Sequence, residues 1–384
     1  MRPKAGDPSL LRRLNSAAVL HTLYTGGPLT LTELARSTGL SRPTCEEAAN
    51  ELVGQGWVTD FIPEPRDPRP PGRPARRLTF RADAGRVLGI DIGAHKILAL
   101  VADLHGTILA RHRATVDPDM PAPRRLRKVN DILTACVPAL DGAALLATVA
   151  ASPGVISGDG HVLASVLPDW TGLDLRAQIE HQVTTATGGT LSGPVAVEND
   201  MKLAALAEHW CGAATDARDV IYVHAGHRIG AGILIDGKPH RGHHGASGEI
   251  GTLKLLDWEN SYHRLLSHQS TVMTEVEDGI HAVFDAVRDG DSAAAKRVDR
   301  FALDLAQGVA AMALTVDPDL VVVGGGISQA GPLIVDPVRR YLDELCLFSP
   351  QVRASSLGSE AVALGAVRSA LHHVEQRLFQ TDAA

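Results

Sequence analysis

The apolar residues of this chain change their spacing along its length, and that change divides it. Over residues 15–60 they recur at helical intervals in three short segments. Thr30-Leu-Thr-Glu33 has the form of a capping box, with the Thr30 hydroxyl at the helix start and Glu33 reaching back. Leu31, Leu34 and Ala35 then share a face. Gly39 permits a tight turn, and Ser41 is placed to cap a second helix that tolerates Pro43 in its first turn. In that helix Cys45, Ala48, Ala49 and Leu52 repeat at i, i+3, i+4 and i+7, which predicts one buried face. Two helices joined by a short turn containing glycine make a helix-turn-helix unit. Residues 57–62 and 77–80 read as strands that together form a wing.

From Val87 onward the pattern becomes one of short apolar runs. Strands are predicted at 87–91, 97–102, 147–151, 195–197, 220–224, 232–235 and 320–323. Helical stretches lie between them near 124–139, 202–210 and 297–316. Such alternation predicts an α/β body. The longest apolar stretch, 142–156, contains Ser152 and Pro153 and is shorter than the ~18 residues of a membrane span. Residues 1–14 lack the apolar core of a secretory signal. The four cysteines (Cys45, Cys136, Cys211, Cys346) lie far apart and form no CxxC, so neither a disulfide framework nor a cysteine zinc site is expected. The expectation is a reduced, cytoplasmic protein without membrane partner, metal or other cofactor.

Charge sharpens the division. The chain of 384 residues has a formal net charge of −7, but residues 1–81 carry twelve basic and eight acidic side chains and are net positive. A basic module on an acidic body suggests nucleic acid as a partner. Between the two wing strands lies a proline-rich arm with Arg66, Arg69, Arg73, Arg76 and Arg77. Its Gly72-Arg-Pro74 core resembles an AT-hook, and an extended arginine of that kind suits a minor groove; a stiff linker is the alternative, and DNA contact is put ahead of it because a helix-turn-helix precedes the arm. The outward face of the second helix carries Arg42, Pro43, Glu46, Glu47 and Asn50, and Arg42 and Asn50 suit guanine and adenine edges. Glu46 and Glu47 repel phosphates and are expected to point away from DNA. The candidate DNA contacts are therefore Ser41, Arg42, Thr44, Asn50, Arg73, Arg76 and Arg77, and the partner is a double-stranded operator.

Four segments then occur in order: Val87-Leu-Gly-Ile-Asp-Ile-Gly93, Val197-Glu-Asn-Asp200, Gly245-Ala-Ser-Gly-Glu-Ile-Gly251 and Val321-Val-Val-Gly-Gly-Gly-Ile327. With the helix-turn-helix they resemble the ROK family of repressors, open reading frames and sugar kinases. The resemblance implies a winged helix-turn-helix over residues 1–82 and a two-lobed actin/hexokinase-like body over 83–384. Within the body it implies a first lobe near 83–205, a second near 206–365, and a C-terminal helix, 366–384, returning to the first.

The same resemblance sets out the cleft. Asp200 matches the carboxylate that accepts the proton from a sugar hydroxyl, and Asn199 and Glu249 match its sugar-contacting neighbours; a helix cap is the alternative role for Asp200. Trp170, in Ser165-Val-Leu-Pro-Asp-Trp170, is expected to wall a sugar ring. Other features depart from the family. Where its kinases have Asp-x-Gly-Gly-Thr-Lys, this chain has Asp91-Ile-Gly-Ala-His-Lys96, and where they have Gly-Thr-Gly it has Gly226-His-Arg228. Nucleotide phosphates need small residues for close backbone approach, so no catalytic residues are assigned. Thr252 replaces a histidine that binds both sugar and zinc, and no cysteine cluster follows it. His240, His243, His244, His263 and His268 match no tetrahedral spacing, so no metal ligand is assigned. The expected function is a DNA-binding repressor of sugar metabolism, a homodimer or homotetramer responding to a sugar. An ATP-dependent sugar kinase with an appended DNA-binding domain, or a regulator with a protein effector, are the alternatives.

Overall fold

Thr30 closes the capping box that its sequence predicts: Glu33 N–H donates to its hydroxyl at 3.3 Å, and its own N–H donates to the Glu33 carboxylate at 2.8 Å. The computed structural model in which this is seen describes residues 8–62, 76–189, 191–226, 228–266 and 276–379. The N-terminal unit runs α1 (Pro8–Gly26), β1 (Leu29–Thr30), α2 (Leu31–Thr38), α3 (Arg42–Gly54), β2 (Val58–Asp60) and β3 (Arg77–Phe80). Ser41 caps α3, Pro43 sits in its first turn, and Cys45, Ala48, Ala49 and Leu52 are its buried face. The first helix is longer than its sequence pattern suggests, starting at Pro8 rather than near residue 15. Its opening turns hold Leu and Arg, both good helix formers, but present no clear apolar stripe. The strands pair antiparallel in the order β1-β3-β2 and form the wing.

The body holds two five-stranded sheets built to one plan. In the first, β4 (Arg86–Ile92), β5 (Lys96–Ala102) and β6 (Ile108–Thr115) form an antiparallel meander. After α4 (Ala122–Cys136), strand β7 (Leu145–Ser152) joins β4 in parallel. A small hairpin, β8 (Val155–Ile156) and β9 (Val162–Ala164), and helix α5 (Leu175–Ala186) then lead to β10 (Val195–Asn199), parallel to β7. The order is β10-β7-β4-β5-β6. Helix α6 (Asp200–Cys211) crosses to the second sheet, where β11 (Val220–His224), β12 (Gly230–Ile235) and β13 (Lys238–Pro239) repeat the meander. Helices α7 (Trp258–Leu266), α8 (Val276–Arg288) and α9 (Ser292–Val316) precede β14 (Leu320–Gly324), and α10 (Pro332–Leu345) precedes β15 (Gln351–Ala354). That sheet reads β13-β12-β11-β14-β15.

The last helix, α11 (Ala361–Phe379), packs on β4, β7 and α6. At its closest approach to α6, a Cβ on Gly365 would lie 1.8 Å from the Leu203 carbonyl oxygen, so only glycine fits there. One apolar core runs without a break from α1, α2 and α3 (Val19, Leu34, Leu52) through β3 (Leu78) into the first sheet and α11 (Val367, Leu371). Burial of this kind holds the winged unit against the body. Tyr24 adds a polar contact: its hydroxyl donates to the Glu375 carboxylate at 3.0 Å, and Arg368 grips the same carboxylate through both oxygens.

Candidate functional site

The outward face of α3 is set by its cap. Ser41 Oγ accepts from Thr44 N–H at 3.3 Å and shares a hydroxyl contact with Thr44 Oγ1 at 2.8 Å. Ser41, Arg42 and Asn50 are exposed and Thr44 is half-buried. Arg42, Glu46 and Asn50 are four residues apart and fall along one side of the helix. The two glutamates therefore separate: Glu47 pairs with Arg12 of α1 at 3.2 Å, while Glu46 stays on the same stripe as Arg42 and Asn50, contrary to expectation. A carboxylate in that position suits a cytosine amino group. On the wing, Arg76 pairs with Asp60 at 2.5 Å and Arg77 with Glu33 at 3.5 Å. Both arginines must exchange these carboxylates for phosphates to touch a nucleic acid. Arg66, Arg69 and Arg73 lie outside the described residues.

The cleft site begins where β10 passes into α6. Asn199, not Asp200, caps that helix: its Oδ1 accepts from Lys202 N–H at 3.0 Å. Its Nδ2 donates to the Gly154 carbonyl at 2.9 Å, so both ends of the amide are engaged by the protein itself. Asp200 is the first helical residue, half-buried, with Met201 N–H donating to it at 2.9 Å. Burial, then the carboxylate of Asp91, then that of Glu249, push its pKa up to about 7 against the pull of two backbone amides, that of Met201 and its own. The three carboxylates thus share one region with two cations. Lys96 pairs with Asp91 at 2.9 Å, and Lys202, fully buried, donates to the Gly245 carbonyl at 2.8 Å. Burial raises Asp91 and Glu249 and lowers Lys202. Arg241 joins from the second lobe, 3.1 Å from Glu198.

Trp170 is not on the cleft wall. It is wholly buried in the first lobe's core and its indole N–H donates to Ser152 Oγ at 2.8 Å. Ser152 is the β7 partner of Asn199, so Trp170 supports the floor beneath Asn199 and exposes no face to a sugar. The physical reason is apolar volume: an indole with one polar atom is readily buried once that atom finds a partner.

The segments that match phosphate loops are occupied by their own side chains. Lys96 Nζ donates to the Ser359 carbonyl as well as pairing with Asp91. The guanidinium of Arg125, itself fully buried, donates to the carbonyls of Gly93 at 2.6 Å and Ala94 at 3.3 Å. Arg228 is exposed. At Gly324 a Cβ would meet the Tyr222 hydroxyl at 2.1 Å, and Gly325 turns through a positive φ of 82°. Tyr222 packing and a tight strand-to-helix turn therefore account for that glycine run. His224, whose ring lies beside Gly226, is pushed down to about 4 by burial and by Lys96, and is neutral. Among the described residues no three His, Cys, Asp or Glu side chains converge as a metal site, and none of the helices is long and apolar enough to cross a membrane. His263 is exposed on α7, and His268 lies outside the described residues.

Lys96, Lys202, Arg125 and Arg241 are the members of this site that reasoning from sequence missed. Lys96 was legible as the end of the first loop; the others carry no local signal, since each acts across the fold.

A winged helix-turn-helix unit on a two-lobed, hexokinase-like α/β body is the class that the fold and cleft define. A model of the ROK family matches residues 87–263 and 265–373, and one of the MarR family matches 13–69. This chain belongs to the ROK family. The xylose repressor of Caldicellulosiruptor bescii is 24% identical over 395 residues, spanning 94% of this chain and 96% of that protein. A solved ROK family transcriptional regulator, homologous to the E. coli MLC protein, superposes with a TM-score of 0.72 at 20% identity over 96% of this chain and 99% of that one. A ROK family glucokinase from Streptomyces griseus, solved with glucose and AMPPNP, gives 0.62 at 28% identity over 75% and 100%.

Proposed function

We propose that this protein is a cytoplasmic, sequence-specific DNA-binding regulator of sugar metabolism, acting as a repressor, and that a sugar in the cleft controls it. The observation that carries the reading is the continuous core between α1–α3 and the body, because a DNA-reading helix built into an effector-binding lobe has no use in a simple kinase. The full-length likeness to a xylose repressor supports it. In this reading Arg42, Asn50, Ser41 and Thr44 contact base edges and phosphates, and Arg73, Arg76 and Arg77 run along a groove. Paired winged units meet two half-sites, so the working form is a symmetric homodimer or homotetramer. Asp200 and Glu249 hold sugar hydroxyls, and Asn199 fixes the helix that carries Asp200.

Gel-shift titration of the full chain on DNA selected by binding, at several salt concentrations, tests this. Arg42→Ala or Asn50→Ala should relax specificity and cost about 1–3 kcal/mol. Replacing Arg73, Arg76 and Arg77 together by alanine should flatten the salt dependence by about one unit of slope for each phosphate left without its cation. Xylose is the first sugar to add. No specific site, or sugar effects that survive Asp200→Ala and Glu249→Ala, would sink the reading. The kinase alternative draws on Asp200, whose pKa of about 7 suits a general base. An ADP-release assay across hexoses and pentoses checks it. We expect no turnover near the ~1–100 s⁻¹ of kinases, because Lys96 and Arg125 lock the first loop from inside.

A further inference from the structure

A second polar cleft lies at the joint between the winged unit and the body, at the start of β4, the strand that carries Asp91 near its other end. It encloses about 410 Å³ and is lined by three separate stretches of chain. Trp57 comes from the turn after α3, Arg81, Asp83 and Arg86 from the segment joining β3 to β4, and Asp141 and Gly142 from the loop before β7. Two of these residues are cations, and they are not equivalent. Arg81 is half-exposed and its guanidinium is matched by Asp83, at 3.2 and 3.1 Å. Arg86 is more than nine-tenths buried and makes no ion pair at contact distance among the described residues; the Asp83 carboxylate, whose pKa it helps to lower, acts on it only through space. Its Nη1 donates to the carbonyls of Asp83 and Gly85, both at 3.0 Å, and its Nε is buried with no partner.

An arginine held out of water without a directly bonded anion is costly, because its charge is only partly neutralised, here at a distance by Asp83, which Arg81 already engages. Carbonyl oxygens satisfy some of its N–H groups but leave the charge. The cleft in front of it supplies the missing space. A third donor, the Trp57 indole N–H, has no hydrogen-bond partner among the described residues, and its partly buried ring, packed on the apolar core, gives the cleft an apolar wall. Asp141, exposed at the rim, and the outer edge of Asp83 are acceptors for hydroxyl groups rather than for an anion.

We propose that this cleft binds the phosphate monoester of a small hydroxylated metabolite, with its phosphate on Arg86 and Arg81 and its carbon skeleton against Trp57. Three donors from two chain segments, the Trp57 indole and the Arg81 and Arg86 guanidinium groups, suit a tetrahedral group with three free oxygens better than a planar carboxylate. This site is separate from the cleft at Asp200, where three carboxylates outnumber Lys96 and Lys202, whereas here Arg81 and Arg86 balance Asp83 and Asp141, and it stands whatever the sugar cleft binds. Because its walls come from both the winged unit and the body, an occupant ties one to the other. That consequence rests on the DNA-binding reading; the binding itself does not.

The test is calorimetry and thermal unfolding of the full chain with inorganic phosphate, glucose 6-phosphate and glucose, at matched ionic strength. Inorganic phosphate and glucose 6-phosphate should both bind and raise the melting temperature, the sugar phosphate more strongly. Arg81→Gln and Arg86→Gln should each weaken that binding roughly 10- to 100-fold. Trp57→Phe should weaken glucose 6-phosphate and leave inorganic phosphate less affected. Arg81 is half-exposed, so Arg81→Gln remains a fair test even where Arg86→Gln fails to fold. The proposal is overturned by absence of phosphate binding, by binding equal in wild type and Arg81→Gln, or by inorganic phosphate binding without glucose 6-phosphate. Binding that disappears in Asp200→Ala and survives in Arg81→Gln places the ligand in the sugar cleft and overturns it as well.

Discussion

Asp200 and His224 face the same cleft and pull the pH dependence of stability in opposite directions. Folded Asp200 keeps its proton up to about pH 7, while an unfolded aspartate loses it near 3.8. The folded state binds more protons across that window, so this residue makes stability fall as pH rises through it. His224 is held at about 4 against an ordinary 6.5. There the unfolded state binds more protons, so its contribution is present above 6.5 and lost as pH falls toward 4. Asp200→Asn removes the first effect and leaves the second. The variant should be more stable than wild type at pH 8 by about 1–3 kcal/mol. Its stability should also rise with pH where the wild-type curve is flatter. Urea titrations at four values between about pH 5 and 8 measure both. An unchanged curve would mean that Asp200 is better solvated than its carboxylate neighbours imply.

Among the elements, α6 and α11 matter most for function. The first begins at the cleft with Asn199 and Asp200; the second carries Glu375 to Tyr24 of α1. They meet where Gly365 lies against the Leu203 backbone. Gly365→Ala forces the helices apart and should destabilise the protein by about 1–3 kcal/mol, as overpacking against rigid backbone does. Thermal unfolding gives the size of the loss. The same change should blunt any response of DNA binding to sugar more than it lowers DNA affinity itself, which a gel shift with and without sugar would show. Equal response in mutant and wild type would remove this contact from the coupling.

At the scale of the whole molecule, the winged unit docks on the body through an apolar core and one polar network. Tyr24 packs edge-on against Phe80 and stacks on His105, and its hydroxyl meets the Glu375–Arg368 pair. The phenol's pKa is driven up by burial and by Glu375, so it remains a donor at any physiological pH. Tyr24→Phe should cost about 0.5–1.5 kcal/mol and Glu375→Ala more, because it also deprives Arg368 of its partner, and the double variant should cost less than their sum, since both remove the Tyr24–Glu375 bond. Chemical denaturation of the four proteins completes the cycle. Full additivity would show that the docking is apolar alone.

Much of this was legible in the chain. Thr30 and Glu33, Ser41 and the Cys45–Ala48–Ala49–Leu52 face are local patterns, and local hydrogen bonds and helical periodicity realise them directly. Strand β11 and the body's α/β class follow from apolar runs in the same way. The edge strand β6 was not legible, because alternate positions carry Arg111 and Arg113 and only one face is covered. Nor was the repetition of one five-stranded plan in both lobes, since the shared feature is strand order and not residue identity. At the site, sequence singled out Asp200 and Glu249, but it expected Trp170, which is wholly buried, to wall a sugar ring, and read Asn199 as open to ligand. Which face of a strand end meets solvent, which amide is already used, and which cations are buried beside which carboxylates depend on tertiary contacts, 18 residues apart for Trp170 and Ser152, 45 for Asn199 and Gly154 and 263 for Lys96 and Ser359. Spacing along the chain determined the elements; burial and distance across them, which exist only once the lobes and the winged unit have packed, decided what the residues can touch.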